Sequence, residues 1–261
     1  MFVGREEELR QLRSLLRKEG SSLVLLRGRR RIGKSTLAEV FGKDAESFLE
    51  FQGLAPRPGL TARDQLIAFA EQLARQTGLP VLPLASWPQA LSLLANQIRD
   101  EPTVVLLDEV SWLAIGDRDF AGHLKVAWDL ELKKKRQLVL ILCGSVSTWI
   151  EENILASTGF VGRISLQLDL GPLPLHSCDL FWGGRRTRIS SLEKLKVLSV
   201  TGGVPRYLEE VRPDRSAEAN IRRLCFRKEG LLFSEFPQIF AQTLGARSPL
   251  SFKLLFARLR S

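Results

Sequence analysis

The chain has 261 residues and a formal net charge of +9, with 44% hydrophobic and 26% charged positions; this is the balance of a globular protein long enough for a sizeable core. No apolar run approaches the roughly 18 residues that cross a bilayer, and the amino terminus turns charged at Arg5, so neither a membrane span nor a secretory signal is expected. Three well-separated cysteines (Cys143, Cys178, Cys225) and two histidines argue against a disulfide framework, a zinc site or a histidine-rich metal centre, and fit a reducing cytoplasm.

In chain order, SLVLLRG (Ser22–Gly28) is a short apolar strand ending in glycine, and KSTLAEVF behind it starts a helix. Ser47–Gly53 reads as a second strand. Thr61–Gly78 carries Leu66, Ile67, Ala70 and Leu73 at helical spacing and stops at glycine. WPQALSLLANQIR is another amphipathic helix. Thr103–Val110 is an apolar strand that ends in two carboxylates. HLKVAWDLELKKK is helical, and its cationic end, Lys133–Arg136, suits the negative pole of the helix dipole. Leu138–Ser145 is a further fully apolar strand, and ISLQLDLGPL another. Strands apolar on both faces that alternate with helices predict an α/β fold with a doubly wound parallel sheet. The composition shifts at GPLPL (Gly171–Leu175), and a mostly helical pattern with glycine breaks follows.

Residues Gly28, Arg29, Arg30, Arg31, Ile32, Gly33, Lys34 and Ser35 satisfy G-x-x-x-x-G-K-[ST] between a strand and a helix, the context in which that spacing forms a phosphate loop. The glycines permit unusual backbone angles, so that loop N–H groups converge on phosphate oxygens beside the positive end of the helix. Lys34 is expected on the β- and γ-phosphates, Ser35 on Mg2+, and Thr36 on a phosphate. The backbone cradles the phosphates and the variable side chains point away from them. The three arginines therefore raise the local anion potential, meet a partner, or form a solvated surface. Val104–Leu107 delivers Asp108 to a strand end as a Walker B element, where the aspartate orients magnesium. The adjacent Glu109 is placed to polarise a water as general base, which favours hydrolysis over a nucleotide kinase. Ser145, at the end of LVLILCGS, is a candidate sensor of the terminal phosphate; Ser147 and Thr148 compete with it, and a helix cap is the alternative role.

FVGREEELRQL, GRRRIGKST, VVLLDEVSWL, LILCGSVSTWI, GFVGRISLQLDLGPL and GGVPRYLEE occur in this order. Together they resemble a prokaryotic, archaeal-type P-loop ATPase of the STAND/AAA-like superfamily, over residues 1 to about 212. The resemblance implies a core over 1–175, with an extra strand between the phosphate-loop and Walker B strands, and a helical lid over 176–236. Residues 237–261 would be the partial start of a further helical or winged-helix module, so the chain is expected to be a short form. It implies that Phe2, Val3 and Arg5 lie near adenine. Arg163 would act as a finger toward a neighbouring subunit's γ-phosphate, with a structural ion pair as its alternative. Gly203-Val204-Pro205 would place the lid over the nucleotide, with Arg206 a weaker phosphate sensor. Adenine over guanine rests on the resemblance, because no Asn/Thr-Lys-x-Asp guanine-reading string is present.

Val161–Ser261 holds 17 Lys+Arg against 9 Asp+Glu, leaving residues 1–160 nearly neutral. A basic segment is a footprint for nucleic acid or a solubilising surface. The expected activity is MgATP hydrolysis as a conformational switch, slow without a partner, with ATP or ADP and Mg2+ bound. The partner is an unidentified protein or a nucleotide-dependent oligomer. The alternatives are a DNA-binding ATPase of the origin-recognition or transposon-associated type, and a non-hydrolysing nucleotide-gated interaction protein.

Overall fold

Residues 2–145, 148–183 and 189–235 are described by the structure, a computed structural model. Five strands, β1 (Ser22–Gly28), β2 (Ser47–Gln52), β3 (Thr103–Asp108), β4 (Leu138–Gly144) and β5 (Ile164–Leu170), form one sheet in the order β2-β3-β4-β1-β5. Every pairing is parallel. The three inner strands are buried almost throughout, whereas β2 and β5 alternate buried with more accessible positions; apolar content on both faces follows from being covered by helices on both sides. Strand β4 lies between β1 and β3, which is the extra strand the resemblance implied.

The helices of this region are α1 (Glu6–Leu16), α2 (Lys34–Gly42), α3 (Ala62–Thr77), α4 (Trp87–Gln97), α5 (Val110–Leu113), α6 (Phe120–Leu130) and α7 (Thr148–Ile150), the last running into a π-turn over Glu151–Leu155. Thr61 and Asp64 close a capping box on α3, and Ser86 caps α4. These side chains satisfy amide groups left without partners at a helix start. An aromatic chain ties β2 to three helices on one face of the sheet: Phe51 stacks on Phe69 (centroids 4.4 Å), which meets Trp87 edge-on (5.5 Å), which meets Phe120 (4.7 Å).

The edge strand β2 is covered by glutamines. The Gln72 amide accepts from Gln52 N (2.7 Å) and donates to Gln52 O (3.1 Å), and Gln76 does the same at Glu50, with both distances 2.7 Å. Gln65 repeats the pattern just past the strand, at Leu54 (2.9 and 3.1 Å). Outward-facing backbone groups of β2, two residues apart, thus find partners on α3 in place of another strand.

One helix ends earlier than its sequence suggests. α6 stops at Leu130; Glu131 turns to φ −126°, ψ −61° and accepts a hydrogen bond from Ser92 Oγ at 2.8 Å. Lys133 and Lys134 therefore sit on a separate 3-10 turn, and Lys135 Nζ donates to Ile98 O (3.3 Å), so the cationic run is not at the α6 carboxyl end.

The chain divides into two compact units after Gly171. In the second, α8 (Leu175–Cys178), α10 (Pro205–Leu208) and α11 (Ala217–Ile221) are short, and α9 (Ser191–Thr201) has 11 residues. α9 is tied to α11 by the Glu193 carboxylate, which accepts from Ala217 N at 2.6 Å. Gly203 packs directly on the backbone of Leu173: a Cβ there would lie 2.3 Å from Leu173 O. Ser147 and the segment 237–261 expected to begin a further module lie outside the described residues.

Candidate functional site

The site forms where β1, β3 and β4 end. β1 runs into the loop 29–33, and α2 begins at Lys34 with Gly33 as its cap in the left-handed region (φ 92°), a conformation that costs glycine little. Gly28 has no room for a side chain: a Cβ would lie 2.8 Å from Leu170 O and 2.9 Å from Ile32 Cγ2. Lys34 is 6% exposed, and its ammonium donates to Gly28 O (3.0 Å) and Arg29 O (3.3 Å). The lysine thus holds the loop in a cradle shape through the loop's own carbonyls, beside the positive end of α2.

Asp108 is 4% exposed at the end of β3. Its Oδ2 accepts from Ser35 Oγ at 2.7 Å and its Oδ1 from Glu109 N at 2.9 Å. The Cys143 thiol on β4 also hydrogen-bonds to this carboxylate; burial first, then Asp108, pushes it well above its ordinary value. Cys143 is therefore a packed thiol and not a nucleophile. Glu109 takes φ 47°, ψ 53° and caps α5, a strained conformation for a residue with a side chain. Burial pushes its carboxyl above the ordinary glutamate range; Lys34 opposes this, Asp108 adds to it, and a hydrogen bond from the Ser145 backbone and the charge of Arg30 oppose it further. The Ser145 hydroxyl is buried and has no hydrogen-bond partner among the described residues.

Ser35, Asp108 and Glu109 share a cleft of about 680 Å3 with Arg30, Gln52 and Trp112. The Arg30 guanidinium stands 6.0 Å from the centre of the Trp112 ring. Of the three loop arginines expected to point away, Arg30 thus turns into the cleft. Arg29 and Arg31 are exposed, as is Thr36 on the first turn of α2. The close fit of α5 to β2 depends on Gly53, where a Cβ would lie 2.7 Å from Trp112 Cβ and 2.8 Å from Leu113 N.

Other predicted residues sit elsewhere. Arg5 is buried; it donates to Gly171 O at 2.5 Å and Ile32 O at 3.4 Å, and pairs with Glu8, so its guanidinium braces the phosphate loop from behind. Phe2 and Val3 are half-buried in the segment before α1. Arg163 precedes β5 at the amino-terminal end of the sheet, opposite the phosphate loop. It makes a two-pronged pair with Asp129 (2.8 Å for each bond), and Lys125 joins at 2.9 Å. Arg163 and then Lys125 hold the Asp129 carboxyl far below its usual range. Pro205 opens α10 in the second unit. Sequence reasoning missed the brace by Arg5, the perch of Arg30 on Trp112 and the tie from Arg27 to Asp169 (2.6 Å) and Glu151. The single charge inside the apolar string SLVLLRG was the available signal for Arg27.

The oxygen donors Ser35 Oγ and Asp108 suit a hard divalent cation, and the orphaned Ser145 hydroxyl marks a buried polar position for a ligand. No group of three or more His, Cys, Asp or Glu residues that could by itself hold a metal ion is found among the described residues.

A family model described as an ATPase domain predominantly from Archaea matches residues 2–211. Among curated proteins, the uncharacterized protein MJECL04 of Methanocaldococcus jannaschii is 24% identical over 214 residues, which are 81% of this chain and 44% of that protein; the chain thus spans less than half the length of this relative. Among solved structures, the Walker-type ATPase PABY2304 of Pyrococcus abyssi aligns with a TM-score of 0.65 at 18% identity, over 92% of this chain and 76% of that one. The Aeropyrum pernix ORC1 protein, solved in complex with DNA, aligns with a TM-score of 0.53 at 18% identity, over 92% and 66%. At these identities the two structures speak for the fold, an α/β P-loop ATPase fold.

Proposed function

Because the chain belongs to the family of ATPase domains found predominantly in Archaea, we propose that it binds ATP at the phosphate loop and hydrolyses it as a conformational switch. The observation that carries this reading is the meeting of Lys34, Ser35, Asp108 and Glu109 at one end of the sheet, with Ser35 Oγ 2.7 Å from Asp108 Oδ2. The backbone of residues 28–33 and the start of α2 bind phosphate oxygens. Lys34 exchanges its bonds to Gly28 O and Arg29 O for the β- and γ-phosphates. Ser35 and Asp108 hold Mg2+, which when bound neutralises developing phosphate charge. Glu109 takes the proton of the attacking water and is held in place by the Ser145 backbone, while the Ser145 hydroxyl senses the terminal phosphate. The second unit, with Gly203-Val204-Pro205, acts as the lid whose position a partner reads. A finger role for Arg163 would be toward a second copy of the chain, since within its own chain Arg163 lies at the opposite end of the sheet.

Phosphate release from MgATP by the purified chain beside its Glu109→Gln variant is the test. Turnover that the variant loses while still binding ATP supports the reading. Equal turnover in both removes Glu109 as base, and absence of nucleotide binding removes the reading itself.

The charge distribution favours a second reading, a DNA-binding ATPase. Stretches 184–188 and 236–261 carry seven Lys+Arg and no Asp or Glu, whereas 189–235 carries nine against seven. Several cations in the latter segment are already paired, Arg206 with Glu210 at 3.0 Å and Arg222 with Glu218 at 3.5 Å among them.

A further inference from the structure

Arg30 is the one loop arginine that lines the cleft shared with Ser35, Asp108 and Glu109. Two other arginines tied to this part of the chain are engaged otherwise: Arg27 pairs with Asp169 and Glu151, and Arg5 with Glu8. Arg30 pairs with no carboxylate among the described residues. Its guanidinium rests instead at 6.0 Å from the Trp112 ring centre, the outer limit of a cation–π contact and a weak attachment for an exposed arginine. Trp112 belongs to α5, the short helix that starts beside Glu109, and Gly53 lets that helix pack closely at the Trp112 Cβ and the Leu113 backbone.

The phosphate-loop backbone and α2 serve the inner phosphates, which ATP and ADP share. On the nucleotide-binding reading, the terminal phosphate, which only the triphosphate carries, would extend into the cleft toward Glu109. A planar guanidinium matches a phosphate with two parallel hydrogen bonds, an attraction stronger than that of an aromatic face. We propose that Arg30 is the residue by which this domain tells a nucleoside triphosphate from a diphosphate: its guanidinium leaves Trp112 for the terminal phosphate and returns once that phosphate is gone. The proposal rests on the nucleotide-binding reading above. It gives the arginine-rich loop a function beyond anion potential, and it makes the Trp112 ring an optical reporter of the bound nucleotide.

The test is equilibrium binding of ADP and of a non-hydrolysable imido analogue of ATP, both with Mg2+, read by calorimetry and tryptophan emission. The proteins are the wild-type chain, Arg30→Ala, Arg30→Lys and Trp112→Phe. In the wild type, emission changes with the analogue and not with ADP, and Trp112→Phe abolishes that change. Arg30→Ala weakens the analogue by about tenfold or more, the scale of a lost charged hydrogen bond, and leaves ADP within about twofold on the same scale. Arg30→Lys falls between, because a lysine keeps the charge and loses the fork. Equal weakening of both ligands by Arg30→Ala, an unchanged ratio, or a Trp112 signal common to both overturns the inference. If the wild type binds neither ligand, the nucleotide reading fails with it; if it binds both and the ratio is unchanged, the inference alone fails.

Discussion

Glu109 carries two burdens. Its backbone sits at φ 47°, which costs a residue with a side chain about 1–3 kcal/mol. Its carboxyl lies in a partly buried cleft that drives its pKa above the ordinary 4.5. Both follow from the chain having to turn sharply from β3 into α5 while leaving a carboxylate beside Lys34. The raised pKa has two consequences of definite sign. A general base works only when deprotonated, so the acid limb of kcat/KM, which reports the free enzyme, falls at a pH above 4.5, and Arg30→Ala moves it higher still, since Arg30 favours the ionised form. The folded protein also binds this proton more tightly than the unfolded chain, so Glu109 withdraws stability as pH rises from 4.5 through its folded value. Glu109→Gln keeps the strained backbone and removes the charge, so it melts above the wild type at pH 7, and the gap closes as pH falls toward 4. Thermal melts of the two proteins across that range check it; a variant that melts below the wild type at pH 7 contradicts it. Lys34, Ser35, Asp108 and Glu109 were legible in sequence because each lies in a contiguous string whose strand and helix fix its direction. Arg5 and Trp112 were not, because their roles come from partners 166 and 82 positions away along the chain, Gly171 and Arg30.

At the scale of elements, apolar strings announced the strands; four of them ended within two residues of where they were expected, and β5 stops at Leu170, three residues before the end of ISLQLDLGPL. Strand order was not readable in this way: nothing in the string Leu138–Gly144 says that it inserts between β1 and β3, and that expectation came from the family resemblance alone. The glutamines of α3 were hidden for a related reason. At positions 65, 72 and 76 they look like the solvated face of an amphipathic helix, yet they are the hydrogen-bond partners of an edge strand. An amide side chain offers one donor and one acceptor, the complement of a single backbone residue in a strand. Replacing Gln72 by Ala strands the Gln52 amide and carbonyl, and Gln76→Ala does so at Glu50. Each substitution costs about 0.5–1.5 kcal/mol, and the pair leaves an open edge that favours self-association. Hydrogen exchange locates the effect: the Glu50 and Gln52 amides, slow in the wild type, exchange faster in the variants while amides of β4 are unchanged. Unaltered exchange at both positions removes the edge-covering role.

For the molecule as a whole, phosphate chemistry and surplus charge fall in different places. Lys34, Ser35, Asp108, Glu109 and Ser145, to which the proposed function gives phosphate, magnesium or water contacts, all precede Gly171, where the first unit ends. The excess of positive charge follows it, and within that part the described segment 189–235 is nearly balanced by its own carboxylates. Arg223 illustrates this, engaged with both the backbone and the carboxylate of Glu210. Reversing its charge would disturb the fold around Glu210 and say little about nucleic acid. The informative cations are Arg185, Arg186 and Arg188, which stand in a stretch without any acidic residue. If the second reading holds, binding to duplex DNA weakens steeply with salt, because each neutralised phosphate releases counterions and adds roughly 0.9 to the slope of log K against log salt. Alanine at all three positions then lowers that slope by about 2 to 3, whereas Arg206→Ala and Arg222→Ala, which remove cations already paired with glutamates, leave it nearly unchanged. A slope that survives the triple substitution moves the contact to the basic segment 236–261. Binding that is weak and insensitive to salt leaves the positive charge as a solubilising surface, and the protein as a switch read by another protein.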